Sequence, residues 1–361
     1  MDEQYMKLAL DLARATVGQT SPNPAVGAVV LNHGEIVGVG AHLKAGEAHA
    51  EVHALQMAGD RAEGGTLYVT LEPCSHFGKT PPCADLIIKK KLKKVVIASS
   101  DPNPLVSGRG IAKMRQAGII VETGLLKEEA DQLNPFFFHY IKTGLPFVTL
   151  KIACSLDGKT ATAAGESQWI TSDGSRLDGY QLRKTHDAIL VGIKTVLADD
   201  PNLTTHTDGG EGNPLRIVLD THLRIPEDAQ LITDQLAPTW IITGSKINAD
   251  KKQRMQSRQV RIISMPSEQI MIKDVLRYLG EQKITALLVE GGATIHGSFL
   301  TASAYQQVIT YLAPKLIGGR DATPAIGGQG IPKLADVEQM TLTHVERIED
   351  DLKIILTPKR R

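Results

Sequence analysis

With 361 residues the chain is long enough for about two domains of roughly 150 residues each. Its hydrophobic share of 42% supports ordinary buried cores, while Lys+Arg and Asp+Glu each number 40, so no global charge draws it to nucleic acid or to a membrane surface. Three cysteines do not make a disulfide-stapled secreted protein, no apolar run approaches the roughly 20 residues of a membrane span, and Met1-Asp2-Glu3-Gln4-Tyr5 lacks the basic segment of a signal peptide. The expectation is a soluble, cytoplasmic protein.

Tyr5, Leu8, Leu12 and Ala15 recur at helical spacing, and Gly18 and Ser21-Pro22-Asn23-Pro24 end that helix. Ala25–Leu31, the turn Asn32-His33-Gly34 and Glu35–Gly40 read as a hairpin. A helix is expected over Ala48–Met57 and a strand over Thr66–Leu71, which runs into Glu72-Pro73-Cys74. Pro81-Pro82 opens a helix from Cys83 to about Lys91, proline being suited to a first turn. Lys94–Ala98 is a further short strand, followed by the loop Asp101–Pro104. Strands alternating with helices imply a layered α/β domain.

The chemistry of this half gathers between Ala48 and Cys83. His49, Cys74 and Cys83 are three soft or borderline ligands that leave the fourth tetrahedral position of a zinc ion open for water. Bound zinc lowers the pKa of such a water from about 15.7 to about 7, and Glu51 is placed to move its protons. The pattern is H-x-E followed by P-C, but the second cysteine lies nine positions on rather than three. In mid-helix His49 and Glu51 would point about 200° apart, so both must sit in a first turn. Cys83 at a helix start gains thiolate character from the dipole. The intervening Ser75–Thr80 segment offers His76 and Lys79 to an anionic substrate group. Three blander readings stand beside this one: an ordinary helix start at His49, a Cys74–Cys83 disulfide, and a structural zinc with His53 or His76 as fourth ligand. The lysine run Lys89–Lys94 reads as a solvated helix end.

A helical pattern over Lys127–Ile141 ends at Thr143-Gly144-Leu145-Pro146, a domain boundary. The expected division is residues 1–145 and 146–361. Phe147–Cys154 is a strand with a turn at Ser155–Lys159, and Cys154 reads as a small core residue. A helix follows around Arg176–Lys184, then a strand at Ala188–Gly192 and a turn at Asp199-Asp200-Pro201. Further strands are expected at Leu215–Leu219, Trp240–Thr243, Val260–Ser264 and Ala286–Glu290, a helix at Ile272–Leu279, and a closing hairpin at Asp350-Asp351. There is no G-x-G-x-x-G fingerprint. Glu290-Gly291-Gly292-Ala293-Thr294-Ile295-His296-Gly297 instead forms a strand end, a glycine pair and a helix start, which can turn backbone N–H groups toward a diphosphate or simply make a tight turn.

Residues 20–105 resemble a cytidine-deaminase-type zinc domain. The form His-Ala-Glu-Val-His, with Leu-Glu-Pro-Cys-Ser-His-Phe-Gly-Lys-Thr-Pro-Pro-Cys, resembles the bifunctional riboflavin-biosynthesis deaminase/reductase family, whose own spacing is the longer gap. That resemblance covers nearly the whole chain. It implies an N-terminal cytidine-deaminase-like α/β/α zinc domain and a C-terminal dihydrofolate-reductase-like α/β domain using NADPH. The implied reactions are deamination of 2,5-diamino-6-(5-phosphoribosylamino)pyrimidin-4-one, then reduction of the ribosyl side chain of 5-amino-6-(5-phosphoribosylamino)uracil to ribityl. Carried over by motif, Ala153, Trp169, Thr195, Asp199, Thr221 and Gly291, Gly292, Ala293, Thr294, Ile295, His296 and Gly297 would line the cofactor. Ser167, Arg183, Leu203, His206 and Glu290 would face the substrate, with Lys151 beside them, and Asn23, His76 and Lys79 would face it in the first site. Arg183 suits the substrate phosphate and Glu290 the pyrimidine N–H groups. His206 stands where the family often has arginine, and a neutral histidine weakens phosphate recognition there. The family also implies a homo-oligomer, dimer or tetramer, with a small-molecule ribotide as its partner.

Two rivals are weighed against this. An RNA or nucleoside deaminase leaves the second half unemployed and lacks a basic, aromatic-rich patch. A zinc-stabilised binding protein predicts four protein ligands in place of an exchangeable water. Within the favoured reading, Lys79→Ala raises the KM for the ribotide and leaves zinc content at wild-type level; loss of zinc on metal analysis makes the 75–80 segment a structural clamp instead.

Overall fold

The computed structural model describes residues 2–75, 81–103, 107–205, 212–256 and 259–359. His76, Lys79 and His206 lie outside them. The chain forms two compact units, Met1–Gly144 and Leu145–Arg361. Among the described residues no helix is long and apolar enough to cross a membrane.

The first unit runs α1 (Asp2–Arg14), β1 (Gly27–Asn32), β2 (Glu35–Ala41), α2 (Ala50–Ala58), β3 (Thr66–Leu71), α3 (Cys83–Lys89), β4 (Lys94–Ser99), α4 (Arg109–Gln116), β5 (Ile120–Thr123), α5 (Lys127–Leu133) and α6 (Pro135–Thr143). The strand order is β2-β1-β3-β4-β5, antiparallel through the hairpin and β3 and parallel from β3 to β5. His33 and Gly34 both have positive φ, 48° and 82°, as a two-residue hairpin turn requires. Met6, Leu10, Val29, Tyr68 and Val96 pack on one face of the sheet. Ala54, Leu55, Val69, Ile87, Ile97 and Met114 pack on the other, so helices cover both faces.

The helix expected over Lys127–Ile141 is in fact two. Pro135 cannot continue α5 and opens α6 instead, while the Asn134 side chain leaves the helix to bond both backbone groups of Ala25, at 2.8 and 2.9 Å. Helix α4 and strand β5 were not expected, since each is short and only partly apolar.

The second unit runs β6 (Phe147–Ser155), α7 (Asp173–Thr185), β7 (Ala188–Gly192), α8 (Ile193–Asp199), β8 (Leu215–Leu219), α9 (Gln230–Thr233), β9 (Thr239–Thr243), α10 (Ala249–Gln256), β10 (Val260–Ser264), α11 (Ile272–Glu281), β11 (Ala286–Gly291), α12 (Ala293–Thr301), β12 (Gln307–Ala313), β13 (Met340–Ile348) and β14 (Asp351–Pro358). The nine strands order as β10-β9-β8-β7-β11-β6-β12-β14-β13. Runs such as Ala188-Ile189-Leu190-Val191 and Ala286-Leu287-Leu288-Val289 are buried throughout, as parallel strands covered on both faces must be. The chain moves outward from β7 to β10 and returns with β11 between β7 and β6. Ligand crevices form at the carboxyl ends of strands where the order reverses in this way. Strand β12 was not expected; the closing hairpin forms as β13 and β14.

Packing of α2 on β2 sets where the first site forms. A Cβ at Gly38 would lie 2.1 Å from the Ala54 carbonyl, and one at Gly40 would lie 2.3 Å from that of Ala50. Gly40→Ala must therefore push the first turn of α2 off the sheet. It lowers thermal stability by about 2 kcal/mol or more and reduces bound metal. Gly34→Ala, whose Cβ meets nothing within 4 Å, strains only the turn and keeps its metal. Unfolding curves with metal analysis on both variants check the contrast.

Candidate active sites

His49 is the N-cap of α2, in extended conformation with φ −76° and ψ 165°. This takes its side chain out of the helical period and lets it converge with the groups of the first turn. Cys74 leaves the end of β3, and Cys83 is the first residue of α3 after Pro82. His49 Nδ1 lies 3.6 Å from Cys74 Sγ and 3.3 Å from Cys83 Sγ, and the three ligand atoms lie within 4.8 Å of one another. This cluster can hold a metal ion. All three cysteines are free.

The Cys83 N–H donates to Cys74 Sγ at 3.3 Å, and the Ala84 N–H to the Cys74 carbonyl at 3.1 Å, so the start of α3 clasps the Cys74 loop. A hydrogen bond from the Cys83 thiol holds the Cys74 thiol well below its ordinary value, against burial and with help from His49. The same bond and burial push Cys83 up. Glu72, the glutamate of Leu-Glu-Pro-Cys, has a different task. Its buried carboxylate accepts from the Gly108 and Ile111 N–H groups at 3.1 and 3.4 Å and so anchors the cysteine loop to the start of α4.

Glu51 is 3% exposed, and burial raises its carboxyl above the ordinary value despite the pull of His49. Its carboxyl shares a hydrogen bond with the Cys83 thiol. A carboxyl raised above its ordinary value gives up its proton less readily, which suits a group that must hold a proton and then pass it on.

Asn23 Nδ2 lies 3.0 Å from His42 Nε2, and the His42 ring packs edge-on against His49 with centroids 5.3 Å apart. His42 Nδ1 is 3.1 Å from the Ala48 carbonyl, which can only accept, so Nδ1 carries the proton and Nε2 accepts from Asn23. Burial lowers the His42 pKa, which keeps the ring neutral. His42 was not foreseen: a histidine just past a strand end carries no local signal.

In the second unit a cavity of about 510 Å³ opens at the carboxyl ends of β6, β7 and β11. Of the foreseen residues it is lined by Lys151, Ala153, Ser167, Trp169, Arg183, Thr195, Asp199, Leu203 and Glu290. Thr221 and 291–297 are not among its lining residues. The glycine turn nevertheless adjoins it, because a Cβ at Gly292 would lie 3.1 Å from the Thr195 hydroxyl. His296 is 3% exposed, with its ring nitrogens 3.1 and 3.4 Å from the Ala325 and Val289 carbonyls. That leaves only its backbone for a ligand.

Pairing of Leu150 with Val289 sets Lys151 beside Glu290, and an irregularity in β11 falls at Glu290 itself. Arg183 Nε and Nη2 donate to the two Glu290 oxygens at 2.8 and 2.9 Å, and Nη1 to the Thr204 carbonyl at 2.8 Å. Lys151 Nζ stands 3.7 Å from Glu290. Arg183, read from the sequence as a phosphate ligand, is here spent largely on Glu290. Burial alone would raise the Glu290 carboxyl, but Arg183 and then Lys151 overcome it and hold it at about 2. Burial raises Asp199, which a hydrogen bond from Ser167 partly offsets. Trp169 is 59% exposed and lies under the Arg176 guanidinium at 4.4 Å.

The two units thus define a zinc-deaminase-like α/β/α domain joined to a dihydrofolate-reductase-like α/β domain. The cytidine and deoxycytidylate deaminase zinc-binding region matches residues 1–99, and the RibD C-terminal domain matches residues 146–354. The riboflavin biosynthesis protein RibD of Bacillus amyloliquefaciens is 51% identical over 359 residues, covering 99% of this chain and 97% of its own. That of Escherichia coli K12 is 42% identical over 363 residues, covering 97% and 98%. The solved RibD of Acinetobacter baumannii superposes with a TM-score of 0.90 at 37% identity, covering 99% of each chain. The Thermotoga maritima diaminohydroxyphosphoribosylaminopyrimidine deaminase/5-amino-6-(5-phosphoribosylamino)uracil reductase does so at 0.88 and 35%, covering 99% of this chain and 98% of its own. The chain belongs to the RibD family of bifunctional deaminase/reductases that act on intermediates of riboflavin biosynthesis.

The Glu290 pair has a pH signature. Its folded pKa, about 2, lies below the ordinary 4.5, so its stabilisation is present above that ordinary value and is lost as pH falls through about 2. The full loss amounts to about 3 kcal/mol. Both tryptophans, Trp169 and Trp240, lie in the second unit. Urea unfolding followed by tryptophan fluorescence therefore shows stability declining between about pH 4.5 and 2, and Glu290→Gln flattens that decline.

Proposed function

We propose that residues 1–145 carry the deamination, with zinc held by His49, Cys74 and Cys83, and that residues 146–361 carry the reduction, with NADPH in the β6–β7–β11 cavity. The observation behind the first assignment is the convergence of one imidazole and two thiols beside the buried Glu51 carboxyl. Tetrahedral zinc with bonds of about 2.0 Å to nitrogen and 2.3 Å to sulfur sets N···S at about 3.5 Å. The 3.3 and 3.6 Å separations here fit that ion. Three ligands, with no fourth in the cluster among the described residues, suit a centre with an open position. The zinc supplies Lewis acidity that makes water nucleophilic at neutral pH.

The substrate is 2,5-diamino-6-(5-phosphoribosylamino)pyrimidin-4-one, attacked at the carbon bearing the 2-amino group. Glu51 takes the proton released as the C–O bond forms, passes it to the ring nitrogen, and helps the amino group leave as ammonia. The Asn23–His42 pair fixes the wall beside His49 and presents the remaining Asn23 amide groups to the pyrimidine. His76 and Lys79 are assigned to the ribotide phosphate.

In the second unit NADPH, when bound, would supply the hydride that reduces the opened ribosyl chain at C1′. The residues fit such a cofactor: Gly292, exposed beside the Thr195 hydroxyl, leaves backbone uncovered at the start of α12, while buried Gly192 and Gly291 let β7 and β11 pack closely beneath it. Glu290 retains lone pairs for pyrimidine N–H groups while Arg183 is bound to it. Arg183 has used three of its five N–H donors, so the rest remain for the ribotide. Lys151 lines the same cavity beside Glu290 and so faces the ribotide with it.

Incubation with the diaminopyrimidine ribotide, with and without NADPH, tests both halves. The intact protein releases ammonia without NADPH and oxidises NADPH only once the deaminated product is present or has formed. Glu51→Ala lowers ammonia release by about 10²–10⁴-fold, keeps its zinc, and still oxidises NADPH with the deaminated product. Near-normal ammonia release by that variant refutes the role of Glu51.

A further inference from the structure

We propose that Arg216 is a positioning residue of the second unit's cavity: from outside, through the Asn202 carbonyl, it holds the Asp200–Leu203 wall in the shape the ligands meet. The inference rests on the reading of this cavity as the NADPH and ribotide site.

The wall has an unfavourable backbone. Asp200 and Leu203 both line the cavity, and both have positive φ, 38° and 55°. Aspartate tolerates that region, but leucine, whose Cβ crowds the following carbonyl, does not adopt it without outside restraint. Two such residues within four positions persist only where the surroundings over-determine them.

Those restraints come from several directions. At the rim, the Gln230 N–H donates to the Asp200 carboxylate at 2.9 Å and its side-chain amide to the Asp200 carbonyl at 2.8 Å. Inside the cavity, Arg183 holds the Thr204 carbonyl at 2.8 Å. Behind the wall stands Arg216 of β8, 1% exposed, whose Nη1 donates to the Asn202 carbonyl at 3.1 Å. The rest of its fork grips Asp234 at 2.6 and 2.9 Å, the Thr239 hydroxyl at 3.0 Å, and the Leu231 and Ala237 carbonyls at 3.1 and 2.7 Å.

A fully buried guanidinium is poor evidence of a stability device, because apolar packing stabilises a strand and its cover as well without desolvating two charges. Its distinctive property is a planar fork with fixed donor directions. Here that fork ties the start of β9 and the 231–237 segment to one carbonyl of the wall, between the two left-handed residues. The Arg183 bond to Thr204 then links the wall to Glu290. A shift of the Asn202 carbonyl therefore moves both the ligand-facing Leu203 and the guanidinium that orients Glu290.

Arg216→Lys keeps the charge beside Asp234 but cannot span the other acceptors. Amide hydrogen exchange in peptides spanning 199–205, compared with peptides of β6, is measured alongside NADPH oxidation and ammonia release. The expected result is exchange about tenfold faster in 199–205 only, KM for NADPH or the ribotide raised about tenfold, kcat changed less, and ammonia release as in the intact protein. A lower unfolding midpoint with exchange in 199–205 and KM both unchanged makes Arg216 a merely structural brace and overturns the proposal.

Should Arg216→Lys not fold, Thr239→Val removes one acceptor of the fork at nearly constant shape. It must raise exchange in 199–205 by about threefold relative to β6, and exchange at the wild-type rate overturns the proposal. The exchange measurement needs no ligand, so failure of the intact protein to oxidise NADPH refutes the assignment of the cavity and leaves the test of Arg216 separate.

Discussion

Helix α2 rests on β2 through Gly38 and Gly40, where a Cβ would lie 2.1 and 2.3 Å from carbonyls of the helix. No side chain separates the two backbones. The first turn of α2 is therefore pinned to the sheet at the height where β3 ends, and His49 and Glu51 arrive beside Cys74. A second backbone contact works from the other side: a Cβ at Gly110 would lie 2.3 Å from the Pro73 carbonyl, so α4 bears on the residue before Cys74. The His49–Cys74–Cys83 cluster thus stands between elements whose spacing is set by hard-sphere contact, which fixes the side-chain atoms more closely than side-chain packing does.

The second unit repeats the principle with different means. Gly192 and Gly291 bring β7 and β11 close beneath the starts of α8 and α12, and a Cβ at Gly297 would lie 2.0 Å from the Gly327 carbonyl. On the opposite side of the cavity charges do the positioning. Glu290, Arg183 and Lys151 form one buried set tied to the Thr204 carbonyl, and Arg216 braces the same wall from behind. Low dielectric strengthens each bond in these networks and makes each unpaired group costly, so they tolerate few arrangements.

Motif reading located the first site because its chemistry is local in the chain. His49 and Glu51 share one helix start, while Cys74 and Cys83 flank one loop, and each residue type has few other uses in that pattern. The partnership of Asn23 with His42 was not legible, since it depends on how the loop before β1 passes the end of β2. The second site was legible only through family likeness. Residues 107 positions apart, Arg183 and Glu290, pair because α7 and β11 meet in space, and neither has a sequence neighbour that signals the other. The overlong helix drawn over Lys127–Ile141 had its correction in plain view at Pro135, but Asn134 bonding to Ala25 is again a long-range event.

The sequence by itself determined the layered α/β architecture, picked out His49, Cys74 and Cys83, which the fold brings together, and marked the Thr143–Pro146 stretch where the chain divides into two units. Each follows from short-range periodicity, from turn chemistry, or from ligand types that have few alternatives. Only the tertiary structure decided that Glu72 anchors a loop, that His296 is buried against carbonyls, that Arg183 is held by Glu290, and that the Asp200–Leu203 wall is braced by Arg216. Those outcomes depend on which buried polar groups lie within hydrogen-bond reach once the sheets have closed. A buried donor or acceptor must find a partner among whatever the fold brings near, and nothing in a side chain's own neighbourhood along the chain records which partner that will be.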